Sequence, residues 1–206
     1  MDRKRVNLQR AALLSMEMQR GVVGDLAPNR VLADTVQRTG IIPRLATLMN
    51  VARAAKATVV HCTATFRPDL KGSARNAPLL GAVTKDPSNV LIGSPGAEVV
   101  PALGPEPEDL VFHRFHGLAP FTGTSLDITL RNLGVDTVVA TGVSVNVGVM
   151  GMCLEAVNLG YRVVLARDCV VGVPEDYAEA VIKNSLSMLA TIGDSTEIAA
   201  LWKEVG

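Results

Sequence analysis

Cysteine is scarce in this sequence: Cys62, Cys153 and Cys169 are its three thiols in 206 residues. An odd count with no C-x-x-C spacing argues against a disulfide framework and against a zinc site, and it points to a reducing, cytoplasmic setting. Surplus charge is missing as well. Lysine plus arginine, 20, balances aspartate plus glutamate, 20, so the excess positive charge that polyanion binding requires is absent and nucleic acid is not an expected partner. No secretory signal is expected either, because the apolar run after the basic first ten residues is short and meets Glu17 at once. One uncharged stretch, residues 137–154, has about the length of a membrane span. Its glycines at 142, 148 and 151, with Ser144 and Asn146 between them, suit a buried strand turning into a helix, and no membrane partner is expected. Also lacking are a G-x-G-x-x-G following a strand and a G-x-x-x-x-G-K-[ST], so neither a dinucleotide nor a P-loop nucleotide is indicated, and no cofactor is expected.

What the sequence has in quantity is apolar surface. Hydrophobic residues make up 48% and charged residues 19%, with mean hydropathy +0.28, enough to bury a core. The length suits one domain over residues 1–206. Short β-branched or apolar runs at 11–16, 58–62, 110–113, 137–141 and 162–166, with a weaker sixth near 188–192, alternate with helical patterns. That alternation predicts an α/β fold, a three-layer α/β/α arrangement around a mostly parallel sheet of about six strands. Covering helices are expected over 41–56, 125–133, 146–159 and 174–189. Residues 67–107 are rich in proline, glycine and small residues without a sustained period and read as a long surface excursion.

In an open parallel sheet, ligands bind beyond the carboxyl ends of the strands. The residues at those ends are Glu17 and Gln19, then His61, then His113, Arg114 and His116, then the turn from Gly142 to Gly148. On extended chain, His113 and Phe115 share one face, and Arg114 and His116 share the other. The H-x-x-H pair therefore points both ways, and no metal site is read from it. Ser144 lacks the surroundings of a nucleophile elbow, since Asn146 stands where that turn needs glycine. Asn146 either caps the following helix or reaches the cleft, capping being the reading favoured here. Gln19 bridges loops or touches substrate, and His61 is structural or substrate-binding.

Five motifs carry a resemblance to the isochorismatase-like hydrolase superfamily: ALLSMEMQ at 12–19, VVH at 59–61, FTGTSLD at 121–127, TGVSVNVG at 141–148 and AVNLGY at 156–161. The resemblance implies a Rossmann-like sheet, a small-molecule substrate and a homo-oligomer, dimer or tetramer. It also implies an aspartate after strand one, a lysine after strand three and, in most members, a cysteine opening the helix after strand four. This chain departs at all three, with Glu17, the run HRFH at 113–116 and Gly148. Cys153 does not replace the missing thiol, because five helical residues is roughly 140° of rotation from position 148. Some true isochorismatases also carry glycine there and cleave a vinyl ether by protonation and water addition, which needs an acid and a polarising cation more than a nucleophile. On that pattern the expectation is a metal-independent, non-cysteine hydrolase. Glu17 is its acid or base; Arg114, His113 or His116 supplies the cation; Gln19, His61, Val143, Ser144, Asn146 and Gly148 contact substrate. The resemblance further implies a cis Val143–Ser144 peptide and backbone donors near 144–148 facing a substrate oxygen. A catalytically silent, ligand-binding or scaffold member is the competing expectation. Metal ligands of the nicotinamidase kind have no counterpart in TFRPD at 65–69, which offers one acidic residue and no histidine.

Overall fold

The computed structural model describes residues 6–205; part of the basic N-terminal stretch lies outside them. The chain runs β1 (Ala11–Met16), α1 (Arg30–Thr39), α2 (Ile41–Ala54), β2 (Thr58–Ala64), α3 (Pro78–Val83), β3 (Leu110–Arg114), α4 (Leu126–Asn132), β4 (Thr137–Val143), α5 (Met150–Asn158), β5 (Arg162–Val171), α6 (Glu175–Val181), α7 (Ser187–Leu189), β6 (Thr191–Gly193) and α8 (Ser195–Val205). All pairings are parallel, in the order β3-β2-β1-β4-β5-β6. The chain therefore winds outward one way from β1 and the other way from β4, and the switch point lies between these two strands.

Alternation along the central strands divides the core into two layers. Ala11 and Leu13 of β1 face a cluster that includes Leu45, Leu48 and Met49 of α2 and Trp202 of α8. Ala12, Leu14 and Met16 face the opposite cluster, with Leu126 and Leu130 of α4 and Met152, Cys153 and Ala156 of α5. Strands covered on both faces have no polar side to alternate with, which is why β1 and β4 read as continuous apolar runs. The uncharged stretch 137–154 is β4, the turn after it and the start of α5. Among the described residues, no helix is long and apolar enough to cross a membrane.

Two predicted helices are interrupted. The one expected over 146–159 begins as a wide turn, Val145–Val149, before regular helix from Met150. The one expected over 174–189 is divided by a similar wide turn, Ile182–Leu186. A wide turn of this kind adds one residue to a single turn and carries no residue signature of its own, so short-range periodicity does not locate it. Strand β5 runs five residues past its predicted end, because after the register shift near Ala140 and Gly142 it pairs with β4 again at Val170 and Val171.

The excursion over 67–107 folds back beside the segment following β1. Arg20 N–H bonds Glu98 O at 2.8 Å, Gly21 N–H bonds Gly96 O at 2.8 Å and Val100 N–H bonds Met18 O at 2.9 Å. The Asn89 carbonyl sits between two glycines, and a Cβ on either Gly21 or Gly96 would come within 1.9 Å of that oxygen. This close approach fixes the excursion against the body of the protein.

Candidate active site

A cavity of about 440 Å³ opens beyond the carboxyl ends of β1 to β4. Its inner end holds Glu17 and Arg114 beside the turn Ser144–Gly148. Glu17 follows β1 directly and adopts φ 52°, the left-handed region that a non-glycine residue enters at a cost of roughly 1–2 kcal/mol. Its N–H is held by Cys62 O at 2.8 Å. The carboxylate forms an ion pair with the Arg114 Nη2, and Arg114 Nε donates to Gly117 O at 3.2 Å. The Arg114 Nη1 is buried and has no hydrogen-bond partner.

Arg114 is the last residue of β3 and buried. Of the three cation candidates it alone borders the cavity; His113 and His116 do not. His113 lies on the other side of the strand, exposed, with Nδ1 2.7 Å from the Thr63 hydroxyl. His116 was grouped with Arg114 by alternation, but the strand ends at Arg114, so the period of two stops and His116 turns outward, accepting from Ala74 N–H at 3.3 Å. The geometry thus keeps His113 opposite Arg114, as alternation placed it, and separates Arg114 from His116, which alternation had placed together.

Two binding candidates are committed elsewhere. Gln19 is fully buried: its Nε2 donates to Ala64 O at 2.8 Å and Ala97 O at 3.1 Å, and its Oε1 accepts from Ala64 N–H at 2.8 Å. It clamps the end of β2 to the excursion without bordering the cavity. His61, 1% exposed, lies between the Ser15 hydroxyl (Nδ1, 3.1 Å) and Asp109 (Nε2, 3.2 Å), while Arg53 binds Asp109 through Nε and Nη2 at 3.1 and 2.6 Å. Burial lowers the His61 imidazole below its ordinary range, partly offset by Asp109. Burial also pushes the Asp109 carboxyl upward, but the Arg53 guanidinium, the Glu106 N–H and His61 together outweigh it and hold it low. This Ser15–His61–Asp109–Arg53 network was not anticipated. Its acidic member immediately precedes β3 and carries no motif.

The peptide between Val143 and Ser144 is cis. Val143 itself is buried and does not border the cavity, whereas Ser144, Asn146, Val147 and Gly148 do. Asn146 accepts the Ser144 hydroxyl and makes no capping bond, so it reaches the cleft instead of capping a helix. The Val147 and Val149 N–H groups are occupied by Ser144 O at 3.1 and 3.0 Å and are not free for a ligand. At Gly148 an added Cβ would lie 3.0 Å from Met16 Cε and 3.1 Å from Val143 O. Met16 fills the space that a side chain at this position would need. The Cys153 side chain is buried in the core between β4 and the helices, away from the cavity, and burial pushes its thiol up to about 12.

The outer wall was not legible beforehand. Leu79, Leu80 and Val83 of α3, with Val90, form an apolar side contributed by the excursion, Phe66 just before it adds to that side, and the exposed Asp86 stands at the rim. The Ser88 hydroxyl and N–H hold the Asp86 carboxyl below the usual carboxylate range. Among the described residues, no cluster of three or more His, Cys, Asp or Glu is placed to hold a metal ion.

Comparison with known proteins agrees with this architecture. Residues 11–197 match the isochorismatase domain. An uncharacterised isochorismatase family protein of Bacillus subtilis (strain 168) is 28% identical over 190 residues, 89% of each chain. A maleamate amidohydrolase of Pseudomonas putida is 28% identical over 166 residues, 79% of this chain and 72% of that one. The crystal structure of an isochorismatase family protein from Desulfovibrio vulgaris superposes with a TM-score of 0.81 at 26% identity, covering 94% of this chain and 98% of its own. With a domain match over most of its length, a parallel sheet of the same design and a cavity at the switch point of that sheet, this chain belongs to the isochorismatase family of hydrolases.

Proposed function

We propose that this chain, as one cytoplasmic domain, hydrolyses a small molecule without a cysteine nucleophile and without metal, with Glu17 as general acid or base. The observation that carries this reading is the Glu17–Arg114 pair at the inner end of the cavity, facing a glycine whose side-chain space Met16 occupies. Three features support it. Glu17 is held in a left-handed conformation, and such strain on a non-glycine residue clusters at functional sites. The Arg114 guanidinium pairs with the Glu17 carboxylate, so it orients that group and presents donors that polarise a substrate oxygen. With no thiol in reach, water is the nucleophile, and a carboxylate beside the substrate takes its proton or delivers one to the leaving group.

Two bonds suit this machinery. A vinyl ether needs protonation and water addition; an amide needs water activated against its carbonyl. Likeness to the maleamate amidohydrolase favours the amide. A homo-oligomer is part of the proposal, and a monomer by light scattering would remove that part.

The competing reading is a silent, ligand-binding member, favoured by one observation: the carboxylate that would act is already bound to arginine. Steady-state hydrolysis of isochorismate, maleamate and simple amides, in the presence of chelator, by the wild type and Glu17→Gln separates the two. The expected result is turnover that falls at least about 100-fold in kcat in the mutant, with KM changed by less than about threefold. Equal turnover in both proteins, or none in either, sinks the catalytic role of Glu17.

A further inference from the structure

We infer that the compound bound in this cavity is uncharged, with a largely apolar body and one oxygen that accepts a hydrogen bond, and that carboxylate-bearing compounds are selected against. The inference rests on the proposed hydrolytic site and narrows its substrates to neutral amides, setting aside maleamate and isochorismate, which both carry carboxylates. Its basis is the charge inventory of the wall. Among the described residues, Arg114 is the one cationic side chain bordering the cavity, against two carboxylates, Glu17 and Asp86. Its positive charge is already matched by Glu17, to which Nη2 is bonded. A second carboxylate arriving with a ligand would meet Glu17, whose partner Arg114 is already engaged, in a partly desolvated site where a like-charge encounter is unfavourable, and the exposed Asp86 adds a weaker, screened repulsion.

What Arg114 does have to spare is a donor. Its Nη1 is buried and lacks a hydrogen-bond partner, while the residue is 7% exposed. An unpaired buried donor is a costly arrangement that a ligand oxygen relieves. A neutral carbonyl oxygen accepts that bond without adding charge. The remainder of the cavity is suited to an apolar body: Leu79 is 45% exposed and Val83 39% exposed, yet both face the cavity together with Phe66 and Leu80. Exposed apolar side chains grouped in a concavity are covered when an apolar ligand binds.

The test uses two probes that differ by one carboxylate, benzamide and 4-carboxybenzamide, titrated calorimetrically into the full chain. Benzamide is expected to bind at least about tenfold more tightly. Leu79→Lys, at an exposed wall position, adds a cation and is expected to narrow that ratio by about tenfold or invert it, while Leu79→Met preserves it. Equal or tighter binding of 4-carboxybenzamide by the wild type overturns the inference. So does failure of both probes to bind, and so does an unchanged ratio in Leu79→Lys, which would put the probes outside the cavity. The readout also separates this inference from the reading it rests on. Benzamide bound but never hydrolysed keeps the ligand class and removes hydrolysis of the amide; preferential hydrolysis of the carboxylate-bearing amide keeps amide hydrolysis and removes the ligand class.

Discussion

At the scale of the residue, the cavity is bordered by Glu17, Arg114 and Gly148, and among the described residues no cysteine lines it. A cysteine hydrolase depends on a thiolate, and thiolates form where the surroundings lower the thiol's proton affinity. Here the three thiols are buried, and burial pushes Cys62, Cys153 and Cys169 each up to about 12. Ellman's reagent near pH 8 is therefore expected to leave all three cysteines unreacted in the native chain and to titrate all three after denaturation. Activity toward any substrate found is expected to survive the same treatment. Rapid labelling of one native thiol with loss of activity would restore a cysteine mechanism. Glu17 and Arg114 were legible as strand-end residues, and their pairing follows from β1 and β3 both ending at the same rim. Alternation already set His113 on the opposite face from Arg114, but the separation of Arg114 from His116 was not legible, since it depends on where β3 stops.

At the scale of the element, two glycines shape the segment that carries Ser144 and Gly148. Gly142 sits in β4 at φ 97°, and a Cβ there would lie 2.3 Å from Met16 O and 2.5 Å from Met16 N. Both neighbours are backbone atoms of the adjacent strand, so the sheet itself would have to open. At Gly148 the nearest atom is the end of the flexible Met16 side chain, at 3.0 Å. Gly142→Ala is accordingly expected to destabilise the chain by at least about 3 kcal/mol and Gly148→Ala by about 1–2 kcal/mol, read from urea unfolding midpoints. The reverse order would mean that Met16 is less free to move than β1. The sequence marked both positions as part of a strand-to-helix turn, but which glycine answers to backbone contact and which to a side chain is a matter of register between β1 and β4.

At the scale of the whole molecule, the network of Ser15, His61, Asp109 and Arg53 joins β1, β2, the entry to β3 and α2 in one buried polar chain. Its titration gives the fold a pH dependence. His61 is held below its unfolded value of about 6.5, so the unfolded chain binds more protons than the folded one as the pH drops beneath that value. The His61 contribution is complete above about pH 6.5 and is lost as pH falls toward the lowered folded value. Asp109 is held below its unfolded value, so its contribution is present above about pH 4 and lost on further acidification. Unfolding free energy is expected to decline from pH 7 to pH 5 with a slope no steeper than about 1.4 kcal/mol per pH unit from this histidine. His61→Asn is expected to flatten that slope, and an identical slope in the mutant would remove His61 as its source.

Residue order alone determined the α/β class, the positions of five strands and the rim on which polar residues gather, because these follow from short-range periodicity and from apolar runs that only a doubly covered sheet accommodates. The tertiary structure decided which of those polar residues share a cavity. Gln19, three residues past β1, and His61, which the sequence placed at a strand end but which lies in the middle of β2, have their hydrogen bonds spent on Ala64, Ala97, Ser15 and Asp109. The apolar wall comes from an excursion without internal periodicity, whose place is set by backbone pairing with residues 18–21 and by the close approach of Asn89 to Gly21 and Gly96. Such contacts join residues about 70 positions or more apart in the chain. No local pattern encodes them, because they come into being only when the sheet brings its strand ends together.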